Sequence, residues 1–279
     1  PIMNGILALV ATPIGNLSDF SPRGLETLER SDVIACEDTR RTGSLLQHFG
    51  ITGARMLRVD SHTEEKAAEE IINCLSEGLL VSMVTDAGMP SISDPGERLV
   101  KKVIESGYQI TVIPGATAPI SALVVSGFST QRWCMEGFLP RKGESRSRRI
   151  KEIAEETRTT VLFESPHRLA ATLKDLYEEC GGARQIAIVR ELTKIHEEIF
   201  RGSLAESLVW TEKKIKGEIV IVLEADNSIS EIDDDRLQVV LREILDSGVS
   251  TKDAAEEASR RLNVSRRRAY STALDLRAE

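Results

Sequence analysis

The sequence predicts an α/β protein that carries a small helical domain at its C-terminal end. Short apolar runs, typical of buried strands, alternate with segments of helical spacing through about the first 224 residues. This alternation indicates βαβ units and a mostly parallel sheet. In residues 236–277, the apolar residues recur only at the spacing of helices. Since a domain usually has ~100–200 residues, the 279 residues of the chain predict about two α/β domains and a small third one.

The first α/β domain is predicted to cover residues 1–117. Its first helix begins at Ser21, because serine caps helices and Pro22 suits the first turn. Gly78 follows another helical segment, and glycine often terminates helices. The predicted strands cover 6–12, 32–36, 79–84 and 110–113, and the further helices cover 64–77, 97–106 and 117–127.

The second α/β domain is predicted over residues 118–226. Its segment 141–151 has six basic residues and one glutamate, which is the composition of an exposed linker or a mobile loop. Beyond this segment, the predicted strands cover 160–163, 185–189 and 218–223, and a helix covers 166–180.

The C-terminal helical domain is predicted over residues 230–279, after an acidic and polar junction at 225–235. A turn at Asn263-Val264 joins its last two helices, and this arrangement is typical of a helix-turn-helix. The predicted helices cover 236–245, 252–262 and 265–277, and the third begins with Arg266, Arg267 and Arg268.

Composition and charge exclude several classes of protein. The net charge of −8 argues against indiscriminate coating of nucleic acid, but it is compatible with a local basic surface. The four cysteines lie far apart, without the spacing of zinc ligands or of a disulfide framework, which predicts no metal site and a reducing compartment. The sequence has no apolar run of ~18 residues, and it does not begin like a signal peptide. We therefore expect a cytoplasmic protein without a membrane span.

Three unusual loops each follow a predicted strand, at residues 12–16, 85–96 and 114–118. In open parallel sheets, ligands bind beyond the carboxyl ends of the strands. We therefore expect the three loops to converge on one crevice. The middle loop, TDAGMPSISDPG, is the most informative because it holds Asp86 and Asp94 but no lysine.

The two aspartates of this loop indicate what the crevice binds. Carboxylates repel phosphate, and the chain has neither GxGxxG nor GxxxxGK[ST]. They suit a cationic ligand, or one with hydroxyl and amine donors, and the glycines let the backbone approach it closely. S-adenosyl-L-methionine has this chemistry in its sulfonium, α-ammonium and ribose diol. The alternative is a tight βα connection in which Asp, Gly and Pro serve only the turn.

Six motifs occur in the order in which one known family carries them. They are VATPIGN (10–16), ACEDTRRT (35–42), TDAGMPSISDPG (85–96), IPGATA (113–118), FESPHR (163–168) and RELTKIHEE (190–198). Together they resemble the ribosomal RNA small subunit methyltransferase I family, part of the tetrapyrrole-methylase-like, class III methyltransferases. The resemblance covers roughly residues 6–224, with a further match in the C-terminal helices. One departure is visible at 61–64, where Ser-His-Thr-Glu stands in place of the expected His-Asn-Glu.

The resemblance implies a fold, a reaction and a set of cofactor contacts. It implies two α/β domains with S-adenosyl-L-methionine in the cleft between them, and a homodimer. It implies 2′-O-methylation of a cytidine in the decoding region of 16S ribosomal RNA, in the small ribosomal subunit. The cofactor residues that it implies are Thr12, Pro13, Ile14, Asp86, Ala87, Gly88, Met89, Thr117, Ala118, Phe163, Leu192, Lys216 and Gly217.

A base is expected because a ribose 2′-hydroxyl is a poor nucleophile. The leading candidates are Asp38, Glu37 and His167. For the first two, the alternative is an ion pair with Arg40 that orders the loop, and for His167 it is a contact at a helix N-terminus. The further candidates are His62, Glu164, Glu191 with Lys194, and His196.

Arginines are the candidates for RNA binding, because the guanidinium group matches the geometry of phosphate. The basic segments 141–151 and 260–268 concentrate positive charge on an acidic protein. The alternative for both segments is ordinary solvated surface. The arginines proposed to contact RNA are Arg40, Arg41, Arg168, Arg266, Arg267 and Arg268.

Two other functions compete with RNA methylation. A tetrapyrrole or other small-molecule methyltransferase has the same fold, but a macrocycle does not require C-terminal helices that carry arginines. A non-enzymatic nucleic-acid regulator would use the helix-turn-helix, but it would not require the cleft loops of the first 224 residues. Because fold alone does not settle function, the choice depends on the motifs.

Overall fold

The computed structural model describes residues 5–60, 63–226, 234–262 and 264–278. Two of the sequence predictions fall outside these ranges, namely the role of His62 and the turn at Asn263. Most of the polar junction at 225–235 also lies outside them. Within the described ranges, no helix is both long and apolar enough to cross a membrane.

The strands are β1 (Ile6–Val10), β2 (Val33–Cys36), β3 (Arg55–Arg58), β4 (Leu80–Met83), β5 (Gln109–Ile113), β6 (Trp133–Phe138), β7 (Thr159–Glu164), β8 (Gln185–Arg190), β9 (Glu198–Ser203) and β10 (Ile219–Leu223). The α-helices are α1 (Pro22–Glu29), α2 (Thr39–His48), α3 (Glu64–Ser76), α4 (Glu97–Glu105), α5 (Ala118–Ser126), α6 (Glu144–Ala154), α7 (Pro166–Cys180), α8 (Leu204–Trp210), α9 (Asp234–Asp246), α10 (Thr251–Leu262) and α11 (Arg266–Ala278).

The first sheet has the strand order β3-β2-β4-β1-β5. Strand β1 pairs in parallel with β4 on one side, where Ile6 faces Leu80, and with β5 on the other, where Ile6 faces Gln109. Strand β2 pairs in parallel with β3 and β4. The predicted parallel α/β fold is therefore confirmed, and the carboxyl ends of β1, β4 and β5 lie at one edge.

Both faces of this sheet are buried. Successive side chains of a strand point to opposite faces, so Leu7 packs on one side with Leu99 of α4, while Ala8 packs on the other with Leu28 of α1. All of these side chains are almost completely buried. Burial of each leucine contributes roughly 1.5–3 kcal/mol. Packing of helices on both faces therefore fixes the position of the sheet and of the strand ends that carry the loops.

The second sheet has the strand order β6-β7-β10-β8-β9. Its central strand β10 is buried along its whole length, from Ile219 to Leu223. Strands β6 and β7 are parallel, with a register irregularity between Met135 and Gly137. Strands β6 and β9 of this sheet, and helix α8 directly after β9, were not predicted from the sequence.

The prediction that 141–151 is an exposed linker or mobile loop is wrong, because α6 covers most of this segment. Ile150 and Ile153 provide a buried apolar side that the basic composition conceals. Arg146 is only 12% exposed in its side chain and donates hydrogen bonds to Asp175 (2.7 Å) and to the Pro140 carbonyl (3.1 Å).

The chain divides into two compact units. The first consists of residues 1–125, 189–199 and 217–220, and the second of 126–188, 200–216 and 221–279. Within the second unit, α9, α10 and α11 share a core of their own, which includes Leu241, Ala258 and Ala269. This confirms the predicted C-terminal helices, and Ser265 caps α11 by accepting a hydrogen bond from the Arg268 N–H (3.2 Å).

Candidate cofactor and substrate site

The loops that follow β1, β4 and β5 converge, as the sequence predicts. The Thr12 N–H donates to the Gly88 carbonyl (2.9 Å), and the Gly88 N–H donates back to the Thr12 carbonyl (3.1 Å). The Thr12 hydroxyl donates to the Thr85 carbonyl (3.1 Å). A Cβ at Gly115 would lie 2.9 Å from the Cβ of Ala11, so the third loop also passes close to β1.

Gly88 shows why this crossing requires glycine. Its φ of +84° lies in the left-handed region that side chains disfavour. A Cβ there would also lie 3.3 Å from Cγ2 of Ile14. The loop after β4 can therefore approach the buried residues Pro13 and Ile14 only because position 88 has no side chain.

The turn at residues 191–194 lies beside the β1 loop in the same compact unit. A Cβ at Gly15 would come within 2.5 Å of Lys194 Cγ and 2.7 Å of Thr193 Oγ1. Oε1 of Glu191 holds this turn, because it accepts hydrogen bonds from the Glu218 N–H (2.8 Å) and from Lys194 Nζ (3.0 Å). The Glu218 N–H is also the leading cause that holds the pKa of Glu191 below its usual range.

Gly217 completes the support of this turn. Its φ is +94°, and any Cβ at this position would collide with the side chain of Glu191. Glu191 and Lys194 are thus occupied with each other and with the start of β10, which gives them a structural role. Leu192 lies within the supported turn.

These elements enclose a cavity of about 390 Å³, referred to below as the cofactor cavity. Several predicted cofactor residues line it, and α2, which the sequence analysis missed, supplies one wall. Lys194 and Glu218 also line it. From the loops after β1 and β4 and from α2, the lining includes Thr12, Pro13, Ile14, Arg41, Asp86 and Ala87.

Buried polar atoms around the crevice lack hydrogen-bond partners among the described residues. They include Oδ1 of Asp86, Oγ1 of Thr117 and Oγ1 of Thr193. Such atoms are costly unless a ligand or water satisfies them. A carboxylate oxygen and threonine hydroxyls fit a ligand that offers a positive charge and hydroxyl or amine groups, so the residues fit S-adenosyl-L-methionine.

A second cavity, of about 370 Å³, adjoins the first and is referred to below as the acidic cavity. It is lined by residues 37–41, Arg58, Asp60 and Asp86. Three of its aspartates are paired with arginines: Arg40 with Asp38 (3.2 Å), Arg41 with Asp86 (3.1 Å) and Arg58 with Asp60 (3.0 Å). Arg58 is the last residue of the exposed strand β3 and Asp60 lies just beyond it; neither belongs to a recognisable motif, and neither was predicted from the sequence.

The two acidic candidates for the base differ in their surroundings. Asp38 is the N-cap of α2, since Oδ1 accepts from the Arg40 N–H (2.9 Å), and the hydrogen bond from the Arg40 side chain lowers its pKa. Glu37 has no such local partner among the described contacts. Burial raises the pKa of Glu37, and the charges of Asp94 and Asp86 raise it further.

Glu64 anchors the aspartate loop from below. It is buried, and its Oε1 accepts hydrogen bonds from the N–H groups of Gly96 (3.1 Å) and Leu99 (3.1 Å) at the start of α4. Burial also raises the pKa of Asp94 in this loop. The Ser-His-Thr-Glu segment, which departs from the family pattern, therefore supplies a structural carboxylate at its fourth position.

Other predicted site residues lie in the second unit. His167 is exposed in the first turn of α7, and Arg168 donates to the carbonyls of Leu139 (2.9 Å) and Pro140 (3.0 Å). Glu164 is buried and accepts from the Thr172 hydroxyl (2.6 Å), so it has a structural partner. The remaining positions are Phe163, whose ring lies 5.3 Å from that of Phe138, and Lys216, which is exposed.

Three further predicted residues lie in the first unit. Met89 and Ala118 are half-buried there, and His196 is exposed.

The three arginines at the start of α11 are not equivalent. Arg266 pairs with Glu256 (3.0 Å), and Arg268 pairs with Asp234 (2.7 Å). Arg267 is exposed, and the described residues provide it with no ion pair. Arg260 and Arg261 both pair with Glu257. Arg267 is therefore the member of this group that is available to a phosphate without exchange of a partner.

Comparison with known proteins gives concordant results. The family model for Tetrapyrrole (Corrin/Porphyrin) Methylases matches residues 7–207. The Ribosomal RNA small subunit methyltransferase I of Synechocystis sp. is 42% identical over 281 residues, which covers 99% of this chain and 99% of that protein. The protein of the same name from Mycobacterium tuberculosis is 43% identical, with 99% of this chain and 97% of that protein covered.

The solved structures add support for the fold. The methyltransferase CobJ has a TM-score of 0.62 at 19% identity, with 80% of this chain and 95% of that chain covered. Identity this low supports the fold alone, whereas the two relatives match nearly the full length. The chain belongs to the ribosomal RNA small subunit methyltransferase I family, within the tetrapyrrole methylases.

Proposed function

We propose that this protein transfers a methyl group from S-adenosyl-L-methionine to the ribose 2′-hydroxyl of a cytidine in the decoding region of 16S ribosomal RNA. The names of its relatives support a small-subunit RNA substrate, and the six motifs support the finer assignment. The structural observation that carries the proposal is the cofactor cavity beside the acidic cavity, with Asp86 facing both.

The cofactor residues are proposed from the first unit outward. Thr12, Pro13 and Ile14 provide a buried wall, and Asp86 with Thr117 provides unsatisfied oxygen atoms. When bound, S-adenosyl-L-methionine supplies an electrophilic methyl group on a positively charged sulfur. The carboxylate of Asp86 is suited to hold a ligand of that charge.

Glu37 is the base that the surroundings favour. It lines the acidic cavity, and its pKa is raised by burial and by nearby carboxylates. A carboxylate with a raised pKa accepts a proton more readily than an ordinary one, so it is better matched to a weakly acidic hydroxyl. Glu37 would accept the proton of the 2′-hydroxyl as that oxygen takes up the methyl group, which S-adenosyl-L-methionine held near Asp86 would supply.

The RNA contacts are proposed to come from exposed guanidinium groups. Arg40 and Arg41 line the acidic cavity, and Arg267 lies at the start of α11. The contacts of Arg168 with two backbone carbonyls favour a structural role in place of the predicted RNA contact.

A homodimer is proposed through the open edge of the first sheet. Strand β5 is one of the two edge strands of this sheet, and Val112 is 49% exposed on it. Helix α5, which follows β5 in the chain, exposes Ile120 (50%) and Val124 (66%). Exposed apolar side chains that lie together usually mark an interface. A dimer acting in the cytoplasm fits the proposed substrate.

The substrate class can be tested directly. Labelled S-adenosyl-L-methionine is offered with small subunits from cells that lack this protein, with naked 16S RNA and with a tetrapyrrole precursor. We expect label in the RNA of the assembled subunit. Label in the tetrapyrrole alone would favour the other activity of this fold, to which the family description also points, and would contradict the proposal.

A further inference from the structure

Arg41 and Asp86 form a wall that the two cavities share. Both residues line the cofactor cavity, and both line the acidic cavity. The guanidinium Nη1 of Arg41 lies 3.1 Å from Oδ2 of Asp86. The other carboxylate oxygen, Oδ1, is buried and has no hydrogen-bond partner among the described residues. The Asp86 carboxylate thus pairs with a cation through one oxygen, while its other oxygen is available to accept a hydrogen bond from a ligand.

The ion pair between Arg41 and Asp86 can open because Arg41 is much more exposed than Asp86. The side chain of Arg41 is 71% exposed, whereas that of Asp86 is 23% exposed. An exposed ion pair is weak because water screens it and because the long side chain loses freedom. A phosphate can compete well for such an arginine, since a guanidinium binds phosphate through two parallel hydrogen bonds. The backbone on both sides of Asp86 is fixed by hydrogen bonds of Thr85 and Gly88 with Thr12, whereas Arg41 has a long and exposed side chain, so Arg41 is the member that moves.

We propose that Arg41 couples the two sites: an RNA phosphate bound at the exposed arginines that line the acidic cavity draws Arg41 away from Asp86, and this strengthens binding of the cationic cofactor. This inference rests on the proposed function, because it takes S-adenosyl-L-methionine and RNA as the two ligands. While Arg41 pairs with Asp86, its positive charge opposes a positively charged ligand in the cofactor cavity. Once Arg41 binds phosphate, the carboxylate charge is available to that ligand.

The coupling depends on the charge of the cofactor. S-adenosyl-L-methionine carries a sulfonium, an ammonium and a carboxylate, so its net charge is +1, whereas S-adenosylhomocysteine lacks the sulfonium charge and is neutral overall. Thermodynamic linkage makes this effect reciprocal: if RNA raises the affinity for the cofactor by some factor, the cofactor raises the affinity for RNA by the same factor. We expect a factor of about 5–10 for the cationic ligand, at the lower end of typical couplings, and a smaller factor for the neutral product.

The test is a calorimetric titration of the full chain with sinefungin, an unreactive cofactor analogue whose amine replaces the sulfonium. The titration is run with and without saturating unmethylated small subunits, and it is repeated with S-adenosylhomocysteine. In the wild-type protein, the Kd for sinefungin should fall about 5–10-fold when subunits are present. In Arg41→Gln, sinefungin should bind more tightly than to wild type without subunits, and subunits should add little.

Arg40→Gln is the matched control. Arg40 is the neighbouring arginine and lines only the acidic cavity, where it pairs with Asp38 instead of Asp86. This variant should need more subunit for saturation but should keep the wild-type coupling factor. Circular dichroism of both variants checks that each is folded.

Two results would overturn the inference. Wild-type coupling that persists in Arg41→Gln would show that Arg41 does not carry it. Weaker sinefungin binding by Arg41→Gln without subunits would show that Arg41 attracts the ligand instead of opposing it. Both results would leave the proposed function intact, whereas a wild-type protein that binds neither sinefungin nor S-adenosyl-L-methionine would overturn the proposed function and this inference with it.

Discussion

Asp38 accepts a 2.9 Å hydrogen bond from the backbone N–H of Arg40 and thereby caps helix α2. The same carboxylate pairs with the Arg40 side chain, and these contacts lower its pKa. A carboxylate committed in this way is a weak base. Its neighbour Glu37 has the opposite shift, caused first by burial, and the two adjacent acids are therefore separated in role by their surroundings.

Glu37→Gln should abolish most of the methyl transfer while cofactor binding is retained. Loss of a general base typically costs about 10²–10⁴-fold in rate, and Gln preserves the size of the side chain. Single-turnover kinetics with saturating subunits measures the loss. Asp38→Asn is the matched control, since Asn also caps helices, and it should stay within about tenfold of wild type. A Glu37→Gln rate equal to that of wild type would remove Glu37 from the mechanism.

The raised pKa of Glu37 also predicts how stability depends on pH. Because the folded state holds this proton more tightly than the unfolded state, stability falls as pH rises from the ordinary pKa of glutamate to the raised one. Glu37→Gln should therefore have a higher Tm than wild type at neutral pH. The difference should vanish below the ordinary glutamate pKa, about 4.3. Tm curves that stay parallel from acid to neutral pH would contradict the shift.

Gly217→Ala should lower the free energy of unfolding by more than the cost of placing alanine at a positive φ. Gly107→Ala is the control, since Gly107 has a similar φ (+80°) but no atom within 4 Å of the added Cβ among the described residues. The control should cost about 1–2 kcal/mol. Gly217→Ala displaces Glu191 from Glu218, so it should cost at least about 1 kcal/mol more. Urea denaturation measures both, and equal losses would refute the role of Glu191.

Arg146 and Arg148 of α6 should differ in their contribution to the stability of the protein. Arg146→Ala removes hydrogen bonds to Asp175 and to the Pro140 carbonyl, so it should cost roughly 2–3 kcal/mol in the free energy of unfolding. Arg148 is exposed, and Arg148→Ala should change that free energy by less than about 0.5 kcal/mol. Equal Tm values for the two variants would contradict the structural role of Arg146.

Arg267→Gln should weaken subunit binding in a salt-dependent way. Each lost phosphate contact reduces the slope of log K against log salt concentration by about 0.7–0.9. Arg266→Gln is the control, because Arg266 is already paired with Glu256 and should change the slope less. Binding of subunits is measured by filter retention at several salt concentrations. An unchanged slope for Arg267→Gln would place α11 away from the RNA.

The parts of the fold with strong apolar periodicity could be predicted from the sequence. Strand β4 is an example because it is a short continuous buried run, and helix α7 is another because its buried residues recur at helical spacing. Helix α2 was missed because only Thr42 and Leu46 are buried in it, and β3 was missed because three of its four residues are exposed. Helix α6 was misread because six basic residues conceal the two buried isoleucines.

The residues of the site that could be predicted are those in loops whose own sequence is unusual. Gly88 and Asp86 stand out in the sequence because a glycine-rich loop with aspartates is unusual after a strand. The roles of Glu64 and Glu191 were not predictable, because both depend on backbone N–H groups that are distant in the chain. Similarly, the pairing of Arg41 with Asp86 joins residues 45 positions apart.

The most direct test of the central claim is to identify the methylated nucleoside. Small subunits from cells lacking this protein are incubated with the protein and labelled S-adenosyl-L-methionine, and their 16S RNA is then digested to nucleosides and analysed by mass spectrometry. Alkaline hydrolysis of a parallel sample locates a linkage that resists cleavage. The account predicts label in 2′-O-methylcytidine and a single resistant linkage in the decoding region. Label on a base, or no resistant linkage, would contradict it.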